Sequence, residues 1–187
     1  MRVIAGTAKG TRLGPVPPGT RPMSDMAREG LFASLGSDVA GARCLDLCAG
    51  TGAVGIEALS RGADEVVFVE RSARAVAAIR DNLTRAHIDD AHTVVKAEVT
   101  AWLGRHTAAQ GVFDIVFCDP PYETVGEPLD RLISGLDAGW LAPETWTVML
   151  TRGHKGLLPA VPVHWAVRRQ LRYGDSLLTL YREERWA

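Results

Sequence analysis

The chain has 187 residues, 47% of them hydrophobic and 23% charged, enough for one sizeable core with little left for a second. No apolar run is long enough to span a bilayer and no charged-then-apolar leader follows Met1, so a cytoplasmic protein with no membrane partner is expected. Cys44, Cys48 and Cys118 sit in apolar surroundings without C-x-x-C spacing, and the five histidines are scattered; this argues for reduced core thiols and against both a disulfide framework and a metal site.

At the N-terminus, Arg2–Ala5 and Thr11–Leu13 flank Gly-Thr-Ala-Lys-Gly and read as a small β-hairpin, followed by a linker at Pro15–Pro18. Residues 1–20 are therefore expected to form an extension of a main domain at 21–187. Ser24 or Asp25 caps a helix that buries Leu31, Phe32 and Leu35 and closes at Gly36.

The next stretch is a strand, 42–47, running into Asp46-Leu-Cys-Ala-Gly50-Thr-Gly52-Ala-Val-Gly55 and a helix at 53–61. Glycines there let the backbone approach a ligand, and the helix N-terminus behind them carries partial positive charge. Strand 65–70 ends on Glu70, about 20 residues past the first glycine, which also fits an NAD-binding loop. Asp46 at the mouth of the loop would be unwelcome beside a pyrophosphate. It suits S-adenosylmethionine, which carries a sulfonium and an ammonium.

Helix 73–87, capped by Ser72, and strand 92–97 come next, with Glu98 closing the strand. A short helix near 100–105 precedes strand 112–118 and the tetrapeptide Asp119-Pro120-Pro121-Tyr122. Open α/β sheets bind ligands at the carboxyl ends of their strands. The prolines stiffen this loop and remove donors, leaving the Asp119 carboxylate and the Pro120 carbonyl as two acceptors for one NH₂ group, with Tyr122 as a face for a flat ring. That arrangement suits the exocyclic amine of a nucleobase. Helix 126–136, strand 145–151 and strands 163–171 and 177–182 complete the chain, the last two joined by the tight turn Tyr173-Gly174-Asp175-Ser176. Strand-helix alternation demands a parallel sheet covered on both faces, here finished by an antiparallel hairpin.

Arg2-Val-Ile-Ala-Gly6, Lys9-Gly10, Thr20-Arg21-Pro22, Asp25, Arg28-Glu29, Asp46–Gly55, Ile56–Ala63, Phe68–Glu70, Asn82-Leu83 and Asp119–Tyr122 fall in an order that closely resembles the bacterial family methylating the exocyclic amine (N2) of a guanine in 16S ribosomal RNA. The resemblance is densest from Arg2 to Leu83. It implies an α/β fold with a seven-stranded, Rossmann-like class I methyltransferase sheet, mostly parallel with an antiparallel C-terminal hairpin. It also implies S-adenosylmethionine as cofactor and 16S ribosomal RNA, free or in a partly assembled small subunit, as partner. A monomer is expected. The chain departs from the family pattern at Met23, where a threonine is usual, at Glu98, where Asp is typical, and at Thr151-Arg152, where a glutamate is common. An adenine- or cytosine-amine DNA methyltransferase would share Asp-Pro-Pro-Tyr, but such enzymes carry a target-recognition domain for which 187 residues leave no room.

The implied roles fall on few residues. Glu70 accepts from both ribose hydroxyls, Glu98 lies near the adenine, and Asp46 neighbours the methionine ammonium beside the Gly50-Thr51-Gly52 backbone. Arg21 faces either the methionine carboxylate or an RNA phosphate; the sequence leaves both open. Asp119, Pro120, Pro121 and Tyr122 hold the base. Charge is segregated: residues 1–24 carry four basic and no acidic side chains, residues 25–151 carry 10 basic and 19 acidic, and residues 152–182 carry six basic against Asp175. An acidic body with basic ends fits a cationic cofactor inside and a polyanion outside, so Arg2, Lys9 and Arg12 are expected to hold phosphates.

Overall fold

A computed structural model describes residues 1–19, 22–105, 111–120, 127–152, 159–174 and 176–184, with side chains described throughout these except at 148–152. Pro121, Tyr122, Thr20, Arg21 and Asp175 lie outside the described residues, as do the side chains of Thr151 and Arg152.

Ser24 Oγ accepts from the Ala27 N–H and starts helix α1 (Asp25–Leu35), which closes on Gly36 at φ 58°. Strand β1 (Arg43–Leu47), helix α2 (Ala53–Ser60), β2 (Glu65–Glu70), α3 (Ala73–Arg85), β3 (His92–Lys96), α4 (Val99–Leu103), β4 (Phe113–Cys118), α5 (Glu127–Asp137) and β5 (Leu141–Arg152) follow in alternation. The last two strands, β6 (Trp165–Tyr173) and β7 (Ser176–Glu183), form a hairpin whose turn includes Gly174 at φ 60°. One seven-stranded sheet results, in the order β3-β2-β1-β4-β5-β7-β6, with β7 antiparallel to both neighbours. The parallel-plus-hairpin architecture expected from the sequence is the one observed.

One strand differs from expectation. Strand β5 begins at Leu141, four residues before the predicted start, because the chain bulges: Phe113 pairs with Leu141, and Ile115 already with Trp146. The bulge takes in Pro143, which has no ladder N–H to lose, and Glu144 at φ 63°. Thr145 Oγ1 donates across it to the Phe113 carbonyl at 2.7 Å. The N-terminal hairpin forms as expected: Arg2 and Arg12 make an antiparallel bridge, the Val3 N–H donates to the Thr11 carbonyl at 3.0 Å and the Leu13 N–H to the Met1 carbonyl at 3.2 Å. The segment is also tied to α2. Ile4 and Ala5 donate their N–H groups to the Glu57 carboxylate at 2.8 and 3.0 Å, and Ala8 donates to Ser60 Oγ at 3.0 Å.

The core has two layers, one on each face of the sheet. Phe32, Ile56, Phe68, Ile79 and Ile115 pack with α1, α2 and α3, and this layer takes in Val3, Ala8 and Leu13 of the N-terminal segment. Leu45, Val69, Leu103, Phe113, Leu136, Trp140 and Tyr181 pack on the other side with α4 and α5. Arg28, fully buried, pairs with Asp25 at 2.9 Å and lies 3.8 Å from Glu57, and it donates to the Arg2 carbonyl. Burial lowers its pKa, while Asp25 and Glu57 hold the cation in place.

Candidate active site

The carboxyl ends of β1, β2 and β4 align, since Leu47 pairs with both Val69 and Cys118. The chain winds outward from β1 through β2 to β3, then crosses to β4 on the other side. A crevice opens at such a switch point. A cavity of ≈ 260 Å³ lies at this end of the sheet, lined by Cys48, Glu70, Arg71, Glu98, Val99, Thr100, Pro120, Glu127, Pro128, Arg131 and Leu132.

The glycine loop contributes Cys48 to the cavity wall, while Gly50, Thr51 and Gly52 lie outside its lining. Gly50 and Gly52 take φ of 57° and 72°, a left-handed backbone that other residues adopt only under strain. Gly55 serves packing: a Cβ there would stand 2.3 Å from the Phe68 ring, so the missing side chain lets α2 lie close against β2. Three buried side chains hold this backbone. Glu70 Oε2 accepts from the Gly50 N–H at 2.9 Å while its Oε1 accepts from Ser72 at 2.7 Å. Asp46 Oδ2 accepts from Gly55 at 3.0 Å. Asn82 Nδ2 donates to the Thr51 carbonyl at 2.9 Å.

These bonds locate the expected site residues. Glu70 does line the cavity, at the end of β2. Asp46 is 4% exposed and turned toward the start of α2, so it neighbours the cavity without lining it. Burial raises its pKa well above the usual carboxylate range, opposed by the Gly55 N–H and reinforced by Asp119 and Glu70. Thr51 is buried, its carbonyl accepting from Asn82, and it is not among the residues that line the cavity. Glu98 lines the cavity but caps α4, accepting from Thr100 N–H, Thr100 Oγ1 and Ala101 N–H at 3.1, 2.6 and 2.8 Å. Its partial burial pushes the carboxyl up, but those three donors and Arg71 prevail and hold it below its ordinary value.

Asp119 follows β4 directly, its N–H donating to the Leu47 carbonyl at 3.4 Å. It is half-buried, close enough to Asp46 to raise that residue's pKa, and Pro120 beside it lines the cavity. Asp46, Glu70 and Asp119 therefore form an acidic floor where the strands end. Cys48, expected in the core, sits at φ 56° on the cavity wall. Burial first, then Glu70, Asp119 and Asp46, push its thiol up to about 12, against the pull of Arg71.

Arg71, Glu127 and Arg131 were not foreseen. Arg71 lies one residue past the strand at which the motif reading stops. Glu127 and Arg131 pair one helical turn apart on α5, a spacing visible in the sequence that nothing there connects to the glycine loop.

Arg2, Lys9 and Arg12 are exposed, each next in sequence to one of the buried Val3, Ala8 and Leu13. Arg2 and Lys9 edge a groove of ≈ 310 Å³ against α1, where Asp25, Met26 and Glu29 form the facing wall. Far from the crevice, where α5 ends and β6 begins, His164 Nε2 lies 2.7 Å from Asp137 and 3.7 Å from Glu183. This trio has the composition of a metal-ligand set, with His164 Nε2 facing both carboxylates. No helix among the described residues is long and apolar enough to cross a membrane.

The family described as "Conserved hypothetical protein 95" matches residues 1–182. The chain belongs to that family. It is 35% identical over 187 residues to "Ribosomal RNA small subunit methyltransferase D" of Escherichia coli strain K12, covering 98% of this chain and 90% of the relative. The Haemophilus influenzae protein of the same name is 30% identical over 184 residues, covering 97% and 93%. A solved structure from Escherichia coli, described as a candidate methyltransferase, superimposes with a TM-score of 0.86 at 34% identity, covering 98% of each chain. The class I methyltransferase fold expected from the sequence stands.

Proposed function

We propose that this protein transfers a methyl group from S-adenosylmethionine to the N2 amine of a guanine in 16S ribosomal RNA. The observation that carries this reading is the convergence at one crevice of Glu70, the pinned glycine loop and the Asp119-Pro120 strand end. A buried acidic floor suits a ligand carrying a sulfonium and an ammonium, and it would repel a pyrophosphate. When bound, S-adenosylmethionine supplies a methyl group already activated by its positive sulfur.

Each Glu70 oxygen accepts one backbone N–H and retains a lone pair, so the carboxylate receives the ribose hydroxyls. Val99 and Leu132 on the cavity wall give the adenine an apolar seat, and Glu98 receives its amine through neighbouring backbone. Asp46 acts beneath the loop, holding Gly55 and adding negative charge toward the methionine ammonium. Arg21 belongs to the methionine carboxylate or an RNA phosphate.

A guanine amine is a poor nucleophile because its lone pair is delocalised into the ring. Asp119 and the Pro120 carbonyl accept its two N–H bonds, favour pyramidal nitrogen and aim the lone pair. Positioning and electrostatics then supply most of the acceleration, and no strong general base is needed. Pro121 stiffens the loop, and Tyr122 stacks on a base splayed out of its helix. Arg2, Lys9 and Arg12 hold phosphates, which add affinity without reading sequence. The enzyme acts as a cytoplasmic monomer, on free RNA or a partly assembled subunit.

The test is to incubate the protein with tritiated methyl donor and 16S ribosomal RNA and map the labelled nucleotide. Label on one guanine N2 is expected. Asp119→Ala should keep the fold and cofactor affinity yet lose nearly all single-turnover transfer; a near-normal rate would remove the acceptor mechanism. Label on an adenine would redirect the reading to an adenine-amine enzyme.

A further inference from the structure

Asn82 is fully buried on α3, and its amide faces two segments far apart in sequence. Its Oδ1 accepts from the Gly14 N–H at 2.7 Å, and its Nδ2 donates to the Thr51 carbonyl at 2.9 Å. One planar group thus ties the end of the N-terminal segment to the middle of the glycine loop. The two bonds fix its orientation, since turning the amide over would set oxygen against oxygen at Thr51 and donor against donor at Gly14.

The N-terminal segment has further anchors upstream of this tie. Glu57 receives the amides of Ile4 and Ala5, and a Cβ on Gly6 would lie 1.6 Å from the Ser60 carbonyl. Glu57 and Ser60 both lie on α2, the helix that the glycine loop begins. The exposed cations Arg2, Lys9 and Arg12 therefore stand on a segment bonded to the cofactor loop at α2 and again at Asn82.

We propose that Asn82 is a positioning residue that couples the cationic N-terminal segment to the cofactor loop, so that RNA and cofactor each tighten the binding of the other. This rests on the RNA-methyltransferase reading above. RNA phosphates on Arg2, Lys9 and Arg12 restrict the segment that ends at Gly14. A fixed Gly14 N–H holds the Asn82 amide, and the amide holds the Thr51 carbonyl in its cofactor-ready orientation. Ordering already done by one ligand need not be done by the other, and the coupling is reciprocal.

The experiment measures affinity for S-adenosylhomocysteine, which permits no turnover, by calorimetry with and without saturating 16S ribosomal RNA. The parent protein should bind it at least about 5-fold tighter with RNA present, the lower end of ordinary coupling. Asn82→Asp keeps an acceptor for Gly14 but sets an oxygen against the Thr51 carbonyl; Asn82→Leu has a similar shape, loses both bonds and introduces no buried charge. In each variant the ratio of affinities with and without RNA should fall to near one. A purely structural role would weaken binding equally in both conditions and leave the ratio at the parent value, which overturns the proposal. A parent ratio of one, with RNA bound, overturns the coupling alone. Failure of the parent to bind ribosomal RNA overturns the RNA reading and the coupling with it.

Discussion

At Glu70 one carboxylate takes the N–H groups of Gly50 and Ser72 and still offers a lone pair on each oxygen to a ligand. Glu70→Ala should therefore weaken S-adenosylmethionine binding by about 1.5–3 kcal/mol, the range for charged hydrogen bonds; undiminished affinity by calorimetry would remove Glu70 from the site. Asp46 behaves differently, because its oxygen is spent on Gly55 inside the protein. Its folded pKa lies above the unfolded value of about 3.9. Within that window the folded state holds a proton the unfolded chain has lost, so stability falls as pH rises from about 4 and levels off above the raised value. Asp46→Asn keeps an acceptor for Gly55 and removes this titration. Its stability advantage over the parent should be small in acid and widen toward neutral pH, read by denaturant melts across that range. A gap that stays constant would mean the carboxylate is not the destabilising charge.

Between residues and fold, periodicity located most of the elements, because strands β1, β2 and β4 are apolar runs bounded by turn residues and α3 has one apolar face. It failed at β5, where Pro143 and Glu144 look like a turn and are in fact a bulge. At the N-terminus the hairpin forms through bonds from Val3 to Thr11 and from Leu13 to Met1, but local alternation could not show that Ile4, Ala5 and Ala8 donate to Glu57 and Ser60, more than 50 positions away. The candidate site divides in the same way. Glu70, Pro120 and the glycines were legible because strand ends and glycine spacing are local features. The bonding partners of Asn82, the place of Arg71 at the cavity and the inward turn of Asp46 were not, since a side chain's partner is set by packing between elements. Gly55 joins both kinds of information: the motif marks it, and the structure gives its reason in Phe68. Gly55→Ala forces a Cβ to within 2.3 Å of that ring, and overpacking of this kind typically costs about 1–3 kcal/mol. The variant should melt at lower denaturant and bind S-adenosylhomocysteine more weakly, since Gly55 also anchors the loop through Asp46. Unchanged stability would show that α2 can move away from β2 freely.

Across the whole molecule, the sharpest contrast is between the acidic body, with 10 basic and 19 acidic side chains in residues 25–151, and residues 1–24, with four basic side chains and no acidic one. Removing residues 1–14 cannot isolate that charge, because Val3, Ala8 and Leu13 belong to the core and Glu57 would lose two backbone donors. Changing Arg2, Lys9 and Arg12 together to alanine can, because all three side chains are exposed. The triple variant should keep its fold by circular dichroism. Its RNA affinity should fall, and the log-log dependence on salt should become shallower by about 0.7–0.9 for each phosphate that the variant no longer neutralises. Binding measured from low to moderate salt separates this from misfolding, which would lower affinity without a matching change of slope. An unchanged slope would assign the segment to packing and cofactor-loop support alone. The exposed Arg169 and Arg172 on edge strand β6 would then become the first candidates for the RNA backbone.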